Sequence, residues 1–317
     1  MRRRLLVLLV DALGWELAGA TPGFARGLPH RRSLETILGF SSGALPTLFT
    51  GRPPREHGHW LMYRRADAKA VGGRAGLPFR GFHWLGLLPP RLRRSWKLSR
   101  WLTGLVVRRG VRGYFSLYEV PRELLEEFDL AGRGDPFTPG ALPGGSLWDR
   151  AAGSGLAWRG WNWRTPEREA LAAVERALAD GPEDFLFCYT AELDAALHRE
   201  GSRGTGVRER LALYDAWLER VQRAAERRGE ELRVVLLSDH GMVDVHGTLD
   251  VMGTVARLRS RAPGDFLPFY DSTFARFWWR STGARDEVRS ALAGLGGGRW
   301  LEPAELARAG ADFPAHD

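Results

Sequence analysis

Cysteine is almost absent from this chain, since Cys188 is the only one among 317 residues. An intrachain disulfide therefore cannot form, which excludes a disulfide framework. Cys188 lies in the apolar run 185–189, and a thiol in such a run is typical of a buried core position. The cysteine content predicts a reducing compartment, and we expect a cytoplasmic protein.

Long hydrophobic runs are also missing. No stretch approaches the roughly 20 apolar residues that a membrane-spanning helix needs. The basic residues 2–4 and the apolar residues 5–10 imitate the start of a signal peptide, but Asp11 ends the apolar stretch early and no cleavage site follows. We interpret residues 4–10 as the first core strand.

Lysine is scarce, because only Lys69 and Lys97 accompany 44 arginines. The net charge of +8 and the pI near 10.3 ordinarily indicate an anionic partner. The arginines are spread along the chain in an Arg, Ala, Gly and Leu bias typical of a G+C-rich coding sequence. We interpret most of the charge as background and expect no specific nucleic-acid binding.

Apolar strands alternate with helical patterns over much of the chain. Strands are predicted at residues 5–10, 156–161, 185–189, 234–237 and 274–279, and helices at residues 167–178 and 207–228. This alternation predicts an α/β fold, a doubly wound and mostly parallel sheet with helices on both faces. We expect residues 1–317 to form a single catalytic domain, with an inserted cap at about residues 52–145 where Pro, Gly, Arg and aromatic residues replace the periodic pattern.

One part of the cap, residues 89–112, mixes eight basic residues with Trp and aliphatic side chains. One interpretation is a solvated basic helix that packs its apolar face on the core. The other is an interfacial segment that makes peripheral contact with anionic membrane. The pattern alone leaves both open.

Four groups of polar residues carry candidate chemistry. Asp11 ends the first strand; Ser41 and Ser42 precede a short helical pattern; Asp194 and His198 follow the strand 185–189 and are one helical turn apart; and Ser238, Asp239 and His240 follow the strand 232–237. Ligands collect at the carboxyl ends of parallel strands, so these groups indicate a site. Taken singly, each group also fits a helix N-cap, a turn or a surface ion pair.

The order of these motifs resembles the alkaline phosphatase superfamily, most closely its type I phosphodiesterase and nucleotide pyrophosphatase branch. The resemblance implies two divalent ions, most often Zn²⁺ with Mn²⁺ as the alternative. Asp11, Asp239 and His240 are the implied ligands of one ion, and Asp194 and His198 those of the other. Ser41 is the implied nucleophile, forming a phosphoseryl intermediate, and Ser42 replaces it if the alignment shifts by one.

Backbone amides of Ser42 and Gly43, at a turn that opens a helix, are expected to hold the phosphoryl group. The family has an Asn three residues after its nucleophile, where this sequence has Ala44. The family also supplies a third ligand, a late His, to the ion held by Asp194 and His198. Either the chain is truncated before it, or His246 substitutes, with His316 as a weaker candidate.

The resemblance implies a metal-dependent phosphoric ester hydrolase acting on phosphate diesters or pyrophosphates. A phosphomonoesterase on the same site is the enzymatic alternative. A degenerate module that binds a phosphorylated glycan or lipid at a membrane surface is the alternative of a different class. A sulfatase is not expected, because residues 41–45 lack the Pro and Arg pattern that follows the modified residue of sulfatases.

Overall fold

A computed structural model describes residues 2–66, 78–93, 95–117 and 120–313. This part of the chain contains strands in both of its halves. They are β1 (Arg3–Val10), β2 (Tyr63–Arg65), β3 (Phe128–Leu130), β4 (Trp158–Trp161), β5 (Phe185–Thr190), β6 (Glu231–Leu237), β7 (Phe266–Tyr270) and β8 (Ala275–Trp279).

Helices connect most of these strands. They are α1 (Trp15–Ala20), α2 (Ser41–Thr50), α3 (Pro54–His57), α4 (Pro90–Arg93), α5 (Trp96–Arg108), α6 (Leu147–Gly153), α7 (Glu167–Asp180), α8 (Glu192–Glu200), α9 (Thr205–Arg227), α10 (Val251–Ala256), α11 (Thr282–Ala293) and α12 (Pro303–Arg308), with 3-10 helices at Phe82–Leu87 and Arg122–Glu127. No helix in the described ranges is both long and apolar enough to cross a membrane.

A parallel sheet of order β4-β5-β1-β6 forms the main core. Successive side chains of β1 point to opposite faces, as the pleat requires. Leu6, Leu8 and Val10 pack with α7, α8 and α9, whereas Val7 and Leu9 pack with α2 and α6. Helices therefore cover both faces of the sheet, and the predicted doubly wound α/β fold is confirmed.

Two of the predicted strands differ from the structure. Residues 274–279 were expected in the parallel sheet, but β8 pairs antiparallel with β7 in a separate two-stranded sheet. A short apolar run does not encode its partner, so this prediction was wrong in its placement. The run 232–237 was expected to be a buried strand, yet β6 pairs only with β1 in the described sheet and Val235 is 37% exposed.

Two arginines near the amino end cap the carboxyl end of α7. The Arg4 guanidinium is buried and donates to the carbonyl oxygens of Leu178 (2.6 Å) and Gly181 (2.9 Å). Arg2 donates to Gly181 O at 3.1 Å. The last carbonyls of a helix lack partners within it and carry partial negative charge, so the two cations stabilise this end of α7.

The described chain divides into two compact units. Unit 1 contains the described parts of Met1–His57 together with Pro136–His246, and holds the parallel sheet. Unit 2 contains the described parts of Gly58–Asp135 and Gly247–Asp317, and holds the β2–β3 and β7–β8 pairs. The prediction of a single catalytic domain with a cap at residues 52–145 stays a prediction.

Candidate functional site

The candidate site lies at the carboxyl end of the parallel sheet in unit 1. β1 and β6 are neighbours, with Leu9 opposite Leu237, so the residues that follow both strands emerge side by side. Asp11, Asp239 and His240 each offer a ligand atom within 4.8 Å of the others. In the described residues this is the one group of three or more such side chains close enough to share a metal ion.

Asp11 is held rigidly by β5. Its backbone N–H donates to Thr190 O at 2.9 Å, and the Tyr189 hydroxyl donates to its Oδ2. Burial, and after it the negative charge of Asp239, raise the pKa of the Asp11 carboxyl to about 7. A buried carboxylate beside a second carboxylate is destabilised unless a cation lies between them.

The two carboxylate oxygens of Asp239 have different surroundings. Oδ1 accepts hydrogen bonds from the backbone N–H groups of Ala12 (3.3 Å) and His240 (3.0 Å). Oδ2 is buried and has no hydrogen-bond partner. An orphaned buried carboxylate oxygen is costly, and coordination to a cation is one of the few ways to satisfy it. This donor set therefore fits a divalent ion.

His240 is oriented as metal-binding histidines usually are. Its Nδ1 lies 3.0 Å from Gly241 O, so we assign the ring proton to Nδ1, which leaves Nε2 as the donor atom. Nε2 lies 3.3 Å from Asp11 Oδ1 and 3.5 Å from Asp239 Oδ2. Burial alone would lower the pKa of His240, but the charges of Asp239 and Asp11 outweigh it and raise the pKa.

Ser41 contributes a hydroxyl to the same cluster. It is the first residue of α2, and its Oγ lies 2.9 Å from His240 Nε2 and 3.3 Å from both carboxylate oxygens of Asp11. The backbone N–H of Gly43 already donates to Phe40 O at 2.8 Å. The Gly43 N–H would therefore have to be shared between Phe40 O and a phosphoryl oxygen, and the expected role of the Ser42 and Gly43 amides stays a prediction.

Asp194 and His198 share one side of α8, as their spacing predicts. His198 Nε2 lies 3.4 Å from Asp194 Oδ1, but the His198 side chain is 65% exposed. Burial raises the pKa of Asp194, and the nearby charge of Asp239 adds to this. Asp194 therefore lies within electrostatic range of the main cluster.

Of the two candidates for the third ligand of the ion at Asp194 and His198, the structure describes only His246. His246 lies in the exposed segment that follows Gly241, near Asp244. Asp244 itself accepts hydrogen bonds from Ser202 N and Ser202 Oγ, both at 2.6 Å, which holds this segment next to the end of α8. His316 lies outside the described residues.

Comparison with known proteins decides the family. A family model described as type I phosphodiesterase / nucleotide pyrophosphatase matches residues 5–271. The chain belongs to this family. It is a family of hydrolases, typically metal-dependent, within the alkaline phosphatase superfamily. The predicted family membership and enzyme class are confirmed.

Solved structures agree with the fold of the phosphodiesterase family. Human ectonucleotide pyrophosphatase / phosphodiesterase 5 is 12% identical, with 99% of this chain and 76% of that chain covered and a TM-score of 0.61. The murine protein, solved in an inactive form in complex with AMP, is 15% identical over 93% of this chain and 71% of that one, with a TM-score of 0.55. No curated protein matches the sequence.

Sequence reasoning missed the supporting roles of several residues at this phosphodiesterase-family site, and of these residues it named only Ser238. Ser238 Oγ accepts from Gly14 N (3.1 Å) and donates to His240 O (2.6 Å), which joins the loops after β1 and β6. Thr36 Oγ1 donates to Asp239 O at 2.8 Å. Ser238 and Tyr189 carried a signal, since each lies at the end of a predicted strand; Thr36 lies in a segment without periodicity and carried none.

His57 lies close to α2 and contacts it through a hydroxyl group. The ring is buried, and Nε2 lies 2.9 Å from Thr47 Oγ1 on α2. Thr47 Oγ1 in turn donates to Gly43 O in the first turn of the same helix, at 2.9 Å. His57 therefore packs α3 against α2, the helix that begins with Ser41.

Proposed function

We propose that this protein hydrolyses phosphate diesters or pyrophosphates, with Ser41 as the nucleophile of a metal-dependent site. The observation that carries the proposal is the position of Ser41 Oγ, 2.9 Å from His240 Nε2 and 3.3 Å from the Asp11 carboxylate. A hydroxyl at the centre of a candidate metal cluster is the arrangement that nucleophilic phosphoryl transfer needs.

Asp11, Asp239 and His240 are the proposed ligands of one divalent ion, Zn²⁺ or Mn²⁺. The orphaned Asp239 Oδ2 and the Nε2 of His240 supply suitable donor atoms. Asp194 and His198 are the proposed ligands of a second ion, for which His246 is the candidate third ligand. Bound divalent ions supply positive charge that lowers the pKa of a serine hydroxyl and neutralises a phosphoryl group.

The protein groups then have defined roles. The Ser41 hydroxyl loses its proton to water, and its Oγ attacks phosphorus in line with the leaving oxygen. The phosphorus–oxygen bond to that leaving group breaks, the leaving oxygen takes up a proton from water, and a phosphoserine ester forms. Water hydrolyses this ester, which releases the phosphoryl group with its remaining substituent as a phosphate monoester and restores the serine hydroxyl. The Ser42 N–H, at the amino end of α2, donates to a phosphoryl oxygen, where the helix dipole also favours negative charge.

The substrate class rests on the family and on the fold it shares with the murine protein that was solved with AMP. Ala44 occupies the place of the family's phosphate-contacting Asn and is buried, so that contact is missing here. We therefore propose a diester or pyrophosphate substrate without assigning a nucleotide base.

The test is hydrolysis of bis-p-nitrophenyl phosphate and p-nitrophenyl phosphate by chelator-treated protein, with and without added Zn²⁺ or Mn²⁺. We expect metal-dependent turnover of the diester and a loss of at least about a thousandfold in Ser41→Ala. Ser42→Ala keeps the backbone amide and is the matched control, with a loss within about tenfold.

Other outcomes select the alternatives. Faster hydrolysis of the monoester than of the diester would identify a phosphomonoesterase. An equal loss in Ser41→Ala and Ser42→Ala would overturn the assignment of Ser41. Metal binding without turnover of any phosphate ester would indicate a degenerate module that only binds phosphorylated ligands.

A further inference from the structure

The excess of basic over acidic residues in this chain comes from one segment. Residues 68–118 contain 11 Lys and Arg and no Asp or Glu, whereas the rest of the chain has 35 basic against 38 acidic residues. The excess of positive charge therefore comes from this segment, which contains the basic residues 89–112. A segment of 51 residues without a single carboxylate predicts an anionic partner.

Helix α5, in the middle of this segment, has apolar residues both on its buried side and on its exposed surface. Leu102 and Val106 are four residues apart and fully buried, so this side packs against the protein. Trp96 and Trp101, on other sides of the helix, are 62% and 55% exposed. The solvated-helix interpretation accounts for the buried side but leaves the two indoles unexplained.

Exposed apolar residues continue next to α5. Leu87 is 85% exposed at the end of the 3-10 helix Phe82–Leu87, and Leu92 in α4 is 56% exposed. Trp84 packs edge-on against Trp101, with ring centroids 6.2 Å apart, which holds the 3-10 helix alongside α5. We call the exposed side chains of Leu87, Leu92, Trp96, Lys97, Arg100 and Trp101 the basic aromatic surface.

The cations of this surface are placed beside its indoles. Lys97 and Arg100 are exposed, and the Arg100 guanidinium lies 4.7 Å from the centre of the Trp96 ring. At a membrane interface, indole rings lie among the lipid headgroups while arginine and lysine meet the anionic phosphates. Leucines exposed to more than half of their area gain nothing from a nucleic-acid backbone, but they gain by entering the acyl boundary.

We propose that the basic aromatic surface docks on an anionic lipid bilayer. The charge of the segment is complementary to such a surface, and the exposed Leu and Trp side chains supply the apolar contact that a purely electrostatic partner does not need. This inference concerns unit 2 alone and stands independently of the hydrolytic activity proposed for unit 1.

The test is co-sedimentation of the full chain with vesicles. We expect binding to phosphatidylserine-rich vesicles at about 0.1 M salt, weaker binding at about 0.5 M, and none to pure phosphatidylcholine. Lys97→Glu/Arg100→Glu should weaken binding at least about twentyfold, because each basic residue near such a surface contributes roughly fivefold. Acidic residues in the first turns of a helix do not disfavour it, so this variant should fold.

The matched control is Arg168→Glu/Arg176→Glu, which reverses two exposed charges on α7 in unit 1 and should bind vesicles like the original protein. Leu87→Ser/Trp96→Ser should lower binding roughly tenfold without changing its salt dependence. Absence of vesicle binding, or an equal effect of the control variant, would overturn the proposal. Unchanged binding of Leu87→Ser/Trp96→Ser together with equally tight binding to duplex DNA would make the surface a general polyanion site instead.

Discussion

Asp239, whose Oδ2 has no hydrogen-bond partner, leads to different predictions for the metal-free and the metal-bound protein. In metal-free protein, Asp239 repels Asp11 and attracts His240, and these effects oppose each other, so Asp239→Asn should change the free energy of unfolding little. The same change removes a ligand, so the stabilisation gained on adding Zn²⁺ should fall by about 3 kcal/mol. Thermal unfolding with chelator and with Zn²⁺ measures both effects.

Asp180→Asn is the control for this experiment, because Asp180 is an exposed residue at the end of α7. It should change neither the metal-free stability nor the gain on adding Zn²⁺. If Asp239→Asn destabilised the metal-free protein and kept the full gain, Asp239 would be a structural turn residue and not a ligand.

Among elements, the two loops that carry the ligands meet at a pair of glycines. Gly14 has a φ of +59°, and a Cβ added there would lie 2.6 Å from the Cα of Gly241. We expect Gly14→Ala to destabilise the protein by about 1–3 kcal/mol, because it strains the backbone and separates the loop after β1 from the loop after β6. Since Asp11 and His240 lie on these loops, Zn²⁺ binding should weaken as well.

Gly19→Ala in α1 is the matched control for Gly14→Ala. An added Cβ at Gly19 meets no atom within 4 Å, and its φ is not positive. Alanine within a helix should stabilise the protein by up to about 1 kcal/mol, with unchanged metal affinity. Chemical unfolding of the two variants gives the comparison, and equal effects would show that the glycine contact does not hold the site.

A glutamate in helix α11 of unit 2 predicts that the stability of the protein depends on pH. Glu287 accepts hydrogen bonds from the backbone N–H groups of Arg259 (2.8 Å) and Ser260 (3.0 Å), and bonds to Ser260 and Arg259 lower its pKa to about 2. Because the folded pKa lies below the unfolded one, the stabilisation is present above about pH 4.5 and disappears as the pH falls towards 2.

Glu287→Gln should therefore destabilise the protein at pH 7 and approach the stability of the original protein near pH 2. Unfolding by denaturant at several pH values checks this convergence. Asp286→Asn, one residue away and exposed, is the control and should show no such dependence. A constant difference between Glu287→Gln and the original protein at every pH would rule out the carboxylate as the cause.

The sequence predicts an element well when the pattern that specifies it is local in the chain, and poorly when the element depends on contacts with distant residues. β1, β5 and the helices α7 and α9 were predicted within two residues at each end, because their periodicity is local. The gathering of Asp11, Asp239 and His240 follows from the rule that parallel strands end at one edge. Pairing of β8 with β7, and the contact of Tyr189 with Asp11, depend on packing that no local pattern encodes.

On the scale of the whole molecule, the two units divide the proposed functions. Asp11, Ser41, Asp194, His198, Asp239 and His240 all lie in unit 1, whereas the basic aromatic surface lies in unit 2. The charge is divided in the same way, since residues 68–118 carry the excess of positive charge and lie within unit 2. A ligand that binds one unit should therefore act first on the stability of that unit.

Hydrogen exchange followed by mass spectrometry tests this division. Adding Zn²⁺ to chelator-treated protein should slow amide exchange at the carboxyl ends of β1 and β6 and at the start of α2, because bound metal suppresses local opening there. Peptides from β7, β8 and α11 should exchange as before, since no proposed ligand lies in unit 2. Asp239→Asn is the control, in which the protection of unit 1 should be lost. Equal protection of both units in the original protein would contradict this expectation and show that they open as one cooperative body.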